Sequence, residues 1–298
     1  MTFISSAQQQ DDSIKLYKYE GEDLKPSNQQ TASEDGRDDN TTTICFLDLE
    51  TTGTYKLEDK IIEIAMRTVV INKETGKLLS VTAEYESLQD PGIPISEEAT
   101  LINGITNEMV MGKEIDWQTV EALIKASDLI VAHNARFDRG FLDQCLPVSQ
   151  DKIWACSLMD IDWLNKGYTS SKQELLCIWH GFYYDSHRAM NDVNSLIHLI
   201  THDHYADGEK PLLELIENAQ LPYYKIIAEN FPYDEVLKDK IKSNRYKFDW
   251  DNKLWWKRIE YNRHDDLEAE KKWLTDTIYG DHFLGKIEEI PLTDKYKE

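Results

Sequence analysis

The stretch TICFLDLETTG, residues 43–53, decides how the rest of the chain is read. Its apolar residues Ile44 to Leu47 follow a long polar lead-in and form a short continuous apolar run of the kind buried strands carry. Asp48 and Glu50 close that run two positions apart. Side chains two apart on a strand share a face, so this spacing predicts two carboxylates side by side at the strand's end. Gly53 follows and lets the backbone turn away. Two adjacent carboxylates repel each other, and a hard divalent cation between them relieves the repulsion. Asp-x-Glu by itself is a common pattern, so its meaning depends on what other segments bring to it.

Working outward, Lys60 to Val70 and Leu78 to Leu88 read as two further strands, separated by the turn-like Asn72 to Gly76. Trp117, Val120, Leu123 and Ile124 recur at helical spacing, and another apolar strand follows at Asp128 to Ala132. Helices are predicted over 135–146, 171–181 and 189–202. Early strands followed by alternating helices and a strand indicate an α/β domain, one sheet covered by helices, over residues 43–204. Residues 1–42 are polar and acidic with few apolar side chains, which predicts a disordered tail. The acidic stretch 205–222, with Gly208 and Pro211, predicts a linker. Beyond it, 223–298 has its own pattern: a strand (Tyr224 to Ala228), a helix (Tyr233 to Lys242), a hairpin turning at Asp251-Asn252, and a helix (Asp265 to Ile278). That pattern predicts a small α+β domain.

Composition narrows the function. A formal charge of −22 argues against a general polyanion-binding surface, so any nucleic acid must be held locally. Bound cations or a confined basic patch could do that. No apolar run reaches the roughly 18 residues of a membrane span, and Met1 to Gln10 has no basic or apolar leader pattern. Cys45, Cys145, Cys156 and Cys177 form no CxxC pair and read as reduced, buried thiols, which leads to the expectation of a cytoplasmic protein.

Two more segments add acids. In VAHNARFD (131–138) a strand ends at His133, Asn134 is placed to cap a helix, and Asp138 falls in its first turn, beside a positive helix terminus. In HRAMND (187–192) a loop carries His187, and Asp192 lies just inside a helix whose Val193, Leu196, Ile197 and Ile200 form a buried face. Together the three segments resemble the signature of the DEDDh group of the DnaQ-like exonuclease superfamily: Asp-x-Glu, then His-Asn-x-x-Phe-Asp, then His-x-x-x-x-Asp. The flanks FLDLETTG (46–53), IIEIA (61–65), NGIT (103–106) and His187-Arg188-Ala189 agree, and the likeness runs over about 43–202. Asn103 stands where many relatives carry His, and Ser157 where many carry Thr.

The resemblance implies a ribonuclease-H-like mixed sheet flanked by helices and 3′→5′ phosphodiester hydrolysis with two Mg²⁺ or Mn²⁺ ions. It implies that Asp48, Glu50, Asp138 and Asp192 hold the ions and that His187 is the general base. An ordinary histidine pKa of about 6.5 suits that role near neutral pH. Thr51, Thr52, Asn103, Asn134 and Phe137 are expected around the terminal nucleotide. PISEEATLINGITNEMV (94–110) resembles the DNA-directed bacterial branch, which favours DNA over RNA. A polymerase or helicase partner is a further expectation; the alternatives are an RNA-trimming exonuclease of the same fold and a non-catalytic nucleic-acid-binding or accessory protein of such a partner. Between Val236 and Arg263, nine Lys or Arg meet four Asp or Glu, interleaved with Tyr246, Phe248, Trp250, Trp255, Trp256 and Tyr261. Cations among aromatics suit single-strand binding, although a small domain also needs large side chains for its core. Lys253, Lys257 and Arg258 are the cations expected to contact a strand, and Phe231 to Trp256 resembles a small module found in some nuclease and helicase chains.

Overall fold

The computed structural model describes residues 8–10, 13–26, 39–202, 210–260 and 266–297. The chain forms two compact units, Met1–Ala219 with Tyr296–Glu298, and Gln220–Lys295.

The first unit is built on a five-stranded mixed sheet. Strands β1 (Thr41–Thr51), β2 (Ile61–Asn72), β3 (Leu78–Leu88), β4 (Leu129–Ala132) and β5 (Trp154–Cys156) lie in the order β3-β2-β1-β4-β5. β2 and β3 are antiparallel to their neighbours, whereas β1, β4 and β5 run parallel. The alternation of β1 sorts its side chains. Ile44 and Phe46 pack with Val193, Leu196, Ile197 and Ile200 of helix α5 (Ala189–Ile200). Cys45, Leu47 and Leu49 pack on the other face with Val120 and Ile124 of α2 (Trp117–Ala126) and with Phe141 and Leu142 of α3 (Ala135–Cys145). In the chain, α1 (Glu97–Asn103), capped by Ser96, precedes α2, and α4 (Gln173–Trp179) lies between α3 and α5. The result is a mixed five-stranded sheet with helices on both faces, the layering that the resemblance implies.

Three expectations change. The tail expected over 1–42 contains ordered backbone where it is described: Tyr17-Lys18 pairs in parallel with Phe182-Tyr183, and Tyr19 and Leu24 are buried in the core beside α5. The remainder of that stretch (1–7, 11–12, 27–38) lies outside the described residues. The linker expected over 205–222 includes α6 (Pro211–Ala219), with Leu212 and Leu215 fully buried. Leu212, Leu215 and Ala219 fall at i, i+3 and i+7, a helical stripe that outweighs Pro211, which sits at a helix's first position where its missing N–H costs nothing. Of the four thiols expected to be buried, Cys145 is exposed, at the last turn of α3.

The second unit is an antiparallel four-stranded sheet of β6 (Tyr223–Ala228), β7 (Lys247–Asp249), β8 (Leu254–Ile259) and β9 (Lys286–Ile290), in the order β7-β8-β6-β9. Helices α7 (Glu235–Ser243) and α8 (Leu267–Leu274) cover one face. Phe231, Ile241, Tyr246, Trp255, Ile259 and Leu274 form its core. Tyr296, in the segment assigned from sequence to this module, instead belongs to the first unit, where it is fully buried and donates to Asp160 Oδ2 at 2.6 Å.

Candidate active site

Asp48 and Glu50 continue the face of β1 that begins with Ile44 and Phe46, so they point toward the N-terminus of α5, where Asp192 sits in the first turn. The result is a group of three half-buried carboxylates, one oxygen from each lying within 4.8 Å of the others. Asp138 arrives from the other side of the sheet, in the first turn of α3. It is 2% exposed, and its Oδ1 accepts a hydrogen bond from the Leu49 amide at 3.2 Å, which ties it to the strand residue between the paired acids. All four acids and His187 line one cleft of about 490 Å³, together with His133, Asn134, Phe137, Gln173, Glu174 and Tyr184.

Thr51, Thr52 and Asn103 do not line that cleft. Thr52 Oγ1 donates to Asp59 and accepts from the Lys60 amide, and Thr51 Oγ1 donates to the Gly53 carbonyl, so both hydroxyls hold the 52–60 loop. Asn103 is buried; its Oδ1 accepts from the Ile105 amide, and its side chain hydrogen-bonds Glu50.

His187 has a left-handed backbone (φ 64°), which costs a non-glycine residue about 1–2 kcal/mol. Its side chain is half exposed, with Nε2 3.6 Å from Glu174 Oε1. The turn is held from a distance. Arg188 donates through Nε and Nη2 to the buried Glu63, and the Ala189 amide donates to the same carboxylate at 2.9 Å. Glu63, on β2, thereby caps α5 in place of a local cap, which Arg188 does not supply. His133 is pushed down to about 4 by burial and shares a 2.7 Å hydrogen bond with Ser157.

Burial, and then the mutual repulsion of the acids, pushes the cluster's carboxyls upward. Asp48 is well above its usual range, with Asp192, Asp138 and Glu50 adding to the effect of burial. Glu50 rises to about 7, mainly from burial and then from Asp192. Asp138 rises to about 8 through burial, against the hydrogen bonds it accepts. Asp192 rises to about 6 through burial, opposed by the Tyr184 hydroxyl and by His187. Asp192 Oδ2 is buried and has no hydrogen-bond partner. A carboxylate with an unpartnered buried oxygen, and one oxygen within 4.8 Å of those of Asp48 and Glu50, suits a hard divalent cation, and an all-oxygen donor set suits Mg²⁺ or Mn²⁺. The residues present therefore fit a divalent metal.

The same shifts set a pH dependence. Each raised carboxyl holds its proton more tightly folded than unfolded, so it stabilises the fold below its unfolded pKa, about 4. That contribution is lost as pH rises through about 6 for Asp192, 7 for Glu50 and 8 for Asp138. Asp192→Asn is therefore expected to raise the thermal unfolding midpoint in metal-free buffer at pH 8, with the gain shrinking toward pH 4. Paired melts across that range check this; a lower midpoint for the variant at pH 8 would contradict it.

In the second unit, two of the three cations expected to contact a strand are engaged. Lys257 Nζ lies 2.6 Å from Glu270 Oε2, and both side chains are mostly covered. Glu270 also accepts from Tyr246 and Asn244, so this group is part of the unit's core. Arg258 stacks over Tyr223, 4.9 Å from its ring centre, with Nε 3.6 Å from Glu260. Lys253, exposed at the hairpin turn, carries a positive φ of 55°.

Sequence reading did not single out Tyr184, Gln173, Glu174 or the partnership of Glu63 with Arg188. Only the flanks IIEIA, which contains Glu63, and His187-Arg188-Ala189 gave any signal, and neither pointed to the pairing. Comparison with known proteins agrees with the geometry. The exonuclease (RNase_T) family model matches residues 45–200, just over half of the chain. The DNA polymerase III PolC-type protein of Listeria welshimeri is 34% identical over 107 residues, covering 34% of this chain and 7% of that protein. The PolC-type protein of Thermotoga maritima is 36% identical over 123 residues, 41% of this chain and 8% of its own. The chain thus spans under a tenth of the length of these relatives. Among solved structures, Exonuclease X in complex with 5′ overhanging duplex DNA is 26% identical, covering 57% of this chain and 99% of that one with a TM-score of 0.40. The nuclease domain of 3′hExo, a DEDDh family member, bound to rAMP, is 18% identical over 55% of this chain and 92% of its own, with a TM-score of 0.43.

Proposed function

The chain belongs to the RNase_T exonuclease family, and from that premise we propose that it removes nucleotides from the 3′ end of a DNA strand by metal-dependent hydrolysis. The observation that carries this reading is the triad of Asp48, Glu50 and Asp192 oxygens within 4.8 Å of one another, in one cleft with Asp138 and His187. The four acids are assigned to holding two divalent ions. Bound there, such ions would supply Lewis-acid polarisation of the phosphate and charge neutralisation at the reacting oxygens.

The remaining work falls to this chain's own groups. His187, on an exposed turn at the cleft's edge, accepts the proton of the attacking water. Phe137 and Asn134 line the cleft and are assigned to the terminal nucleotide. Thr51, Thr52 and Asn103 act one step removed, by shaping the loop and holding Glu50. Catalysis is assigned to 43–204. The module from 223 onward is assigned an accessory role in which Lys253 is the exposed cation of the three considered. The preference for DNA draws on the PolC relatives, which are DNA polymerases by name; a polymerase context draws on the same likeness, and a helicase context on the resemblance of Phe231 to Trp256. RNA trimming on the same site is the second reading.

Three 5′-labelled substrates of one sequence, single-stranded DNA, duplex DNA and RNA, decide the matter. The expected result is stepwise shortening from the 3′ end with mononucleotide release in Mg²⁺ or Mn²⁺, fastest on single-stranded DNA and absent in EDTA. Full activity in excess EDTA, or shortening from the 5′ end, would overturn the proposal. Fastest digestion of RNA would favour the second reading. No helix among the described residues is long and apolar enough to cross a membrane.

A further inference from the structure

Asp192 has two oxygens with different surroundings. Oδ1 accepts a 2.7 Å hydrogen bond from the Tyr184 hydroxyl, whereas Oδ2 is buried without a partner. The direction of the first bond is set by the groups behind it. Ser195 Oγ donates to the Asn191 carbonyl at 2.8 Å, so toward Gln173 it must accept. Gln173 Nε2, which can only donate, lies 2.9 Å from Ser195 Oγ, 2.9 Å from the Asp192 carbonyl and 3.1 Å from the Tyr184 oxygen. Nε2 has two hydrogens for these three acceptors and offers no lone pair, so the phenol hydrogen cannot be directed at Gln173 and goes to Asp192 Oδ1. The Tyr184 ring packs against the core beside α5, which fixes the hydroxyl in place.

We propose that Tyr184 is a positioning residue: its hydroxyl, with Gln173 beside it, holds one oxygen of Asp192 so that the other stays available to a divalent cation that Asp48, Glu50 and Asp192 would hold. The inference rests on the reading of Asp192 as a cation ligand. A carboxylate at a helix start can rotate about its side-chain torsions. A fixed donor on one oxygen, with the His187 and Arg188 amides also directed at this carboxylate, restricts that freedom. Outer partners of metal ligands typically account for about a 10- to 100-fold effect on affinity. Tyr184 is also eight positions from Asp192, with α5 beginning between them, so neither strand nor helix spacing would pair them.

The test is Tyr184→Phe, which keeps the packed ring and deletes the donor. Mn²⁺ is titrated calorimetrically into the full chain without substrate. Affinity is expected to fall about 10- to 100-fold, with the metal-free unfolding midpoint nearly unchanged. Cleavage should drop at limiting Mn²⁺ and recover when Mn²⁺ is saturating, with KM for a short oligonucleotide unchanged there. Unchanged Mn²⁺ affinity overturns the proposal. So does a raised KM at saturating metal, which would put the phenol on the substrate. A lowered metal-free midpoint with unchanged affinity would make the role merely structural. Asp192→Asn separates this inference from its premise. If that variant binds Mn²⁺ as the wild type does, Asp192 is not a ligand and both readings fail; if it loses Mn²⁺ while Tyr184→Phe does not, only the role of Tyr184 fails.

Discussion

Asp48→Ala is expected to lower cleavage by about 10³-fold or more, while the chain stays folded. Electrostatic stabilisation by bound metal is worth several kcal/mol, and about 1.4 kcal/mol corresponds to a factor of ten in rate. Asp48 has the most crowded acidic surroundings of the four: burial, Asp192, Asp138 and Glu50 all press on it. Its removal deletes the carboxylate on which each of the other three acids presses. The same crowding means that alanine relieves repulsion, so the metal-free protein should melt no earlier than wild type at pH 8. Mononucleotide release and thermal melts on one preparation provide the check. Retained activity would move the metal site away from β1. Lost activity together with a much lower melting point would make Asp48 structural.

His187 should give the second-largest effect. Removing a general base typically slows a reaction by about 10²–10⁴-fold. The backbone makes a clean design available. Because φ is 64°, alanine retains the left-handed strain, whereas glycine adopts this conformation freely. His187→Gly is therefore expected to lose activity in that range while leaving stability equal or slightly higher, and Mn²⁺ affinity should be largely kept. A base role predicts that both variants slow turnover more than they raise KM. If His187→Gly cleaves at nearly the wild-type rate, the proton is accepted elsewhere, with Glu174 at 3.6 Å the nearest carboxylate to examine.

The parts of this site that could be read from sequence are those written by local geometry. A strand places residues two apart on one face, so the adjacency of Asp48 and Glu50 follows from spacing. The apolar face of α5, read from Val193, Leu196, Ile197 and Ile200, fixes how Asp192 is turned once the helix docks. Motif order then supplied the remaining members. The parts that could not be read depend on groups far apart in the chain. Glu63 caps a helix that begins 126 positions later, and nothing near Arg188 announces it. Lys257 looked like a free cation in a basic run, but cross-strand pairing and α8 bring Glu270 against it. The acidic lead-in read as uniformly polar, yet Tyr19 and Leu24 bury in the core and Tyr17-Lys18 pairs with Phe182-Tyr183, which seats its described part.

Legible in the sequence alone were the sheet strands through β4, a likeness to an exonuclease signature carrying four acids and a histidine, and the carboxylate-rich character of the candidate site, because periodicity and residue chemistry are local properties. Only the tertiary structure decided that three of the acids converge within 4.8 Å while Asp138 is anchored to the Leu49 amide. It alone decided which hydroxyls turn inward to hold loops, and that Tyr184 and Gln173 aim Asp192. Those outcomes depend on which helix face meets which strand face, and packing between distant segments settles that by burying apolar area. Local spacing does not encode it.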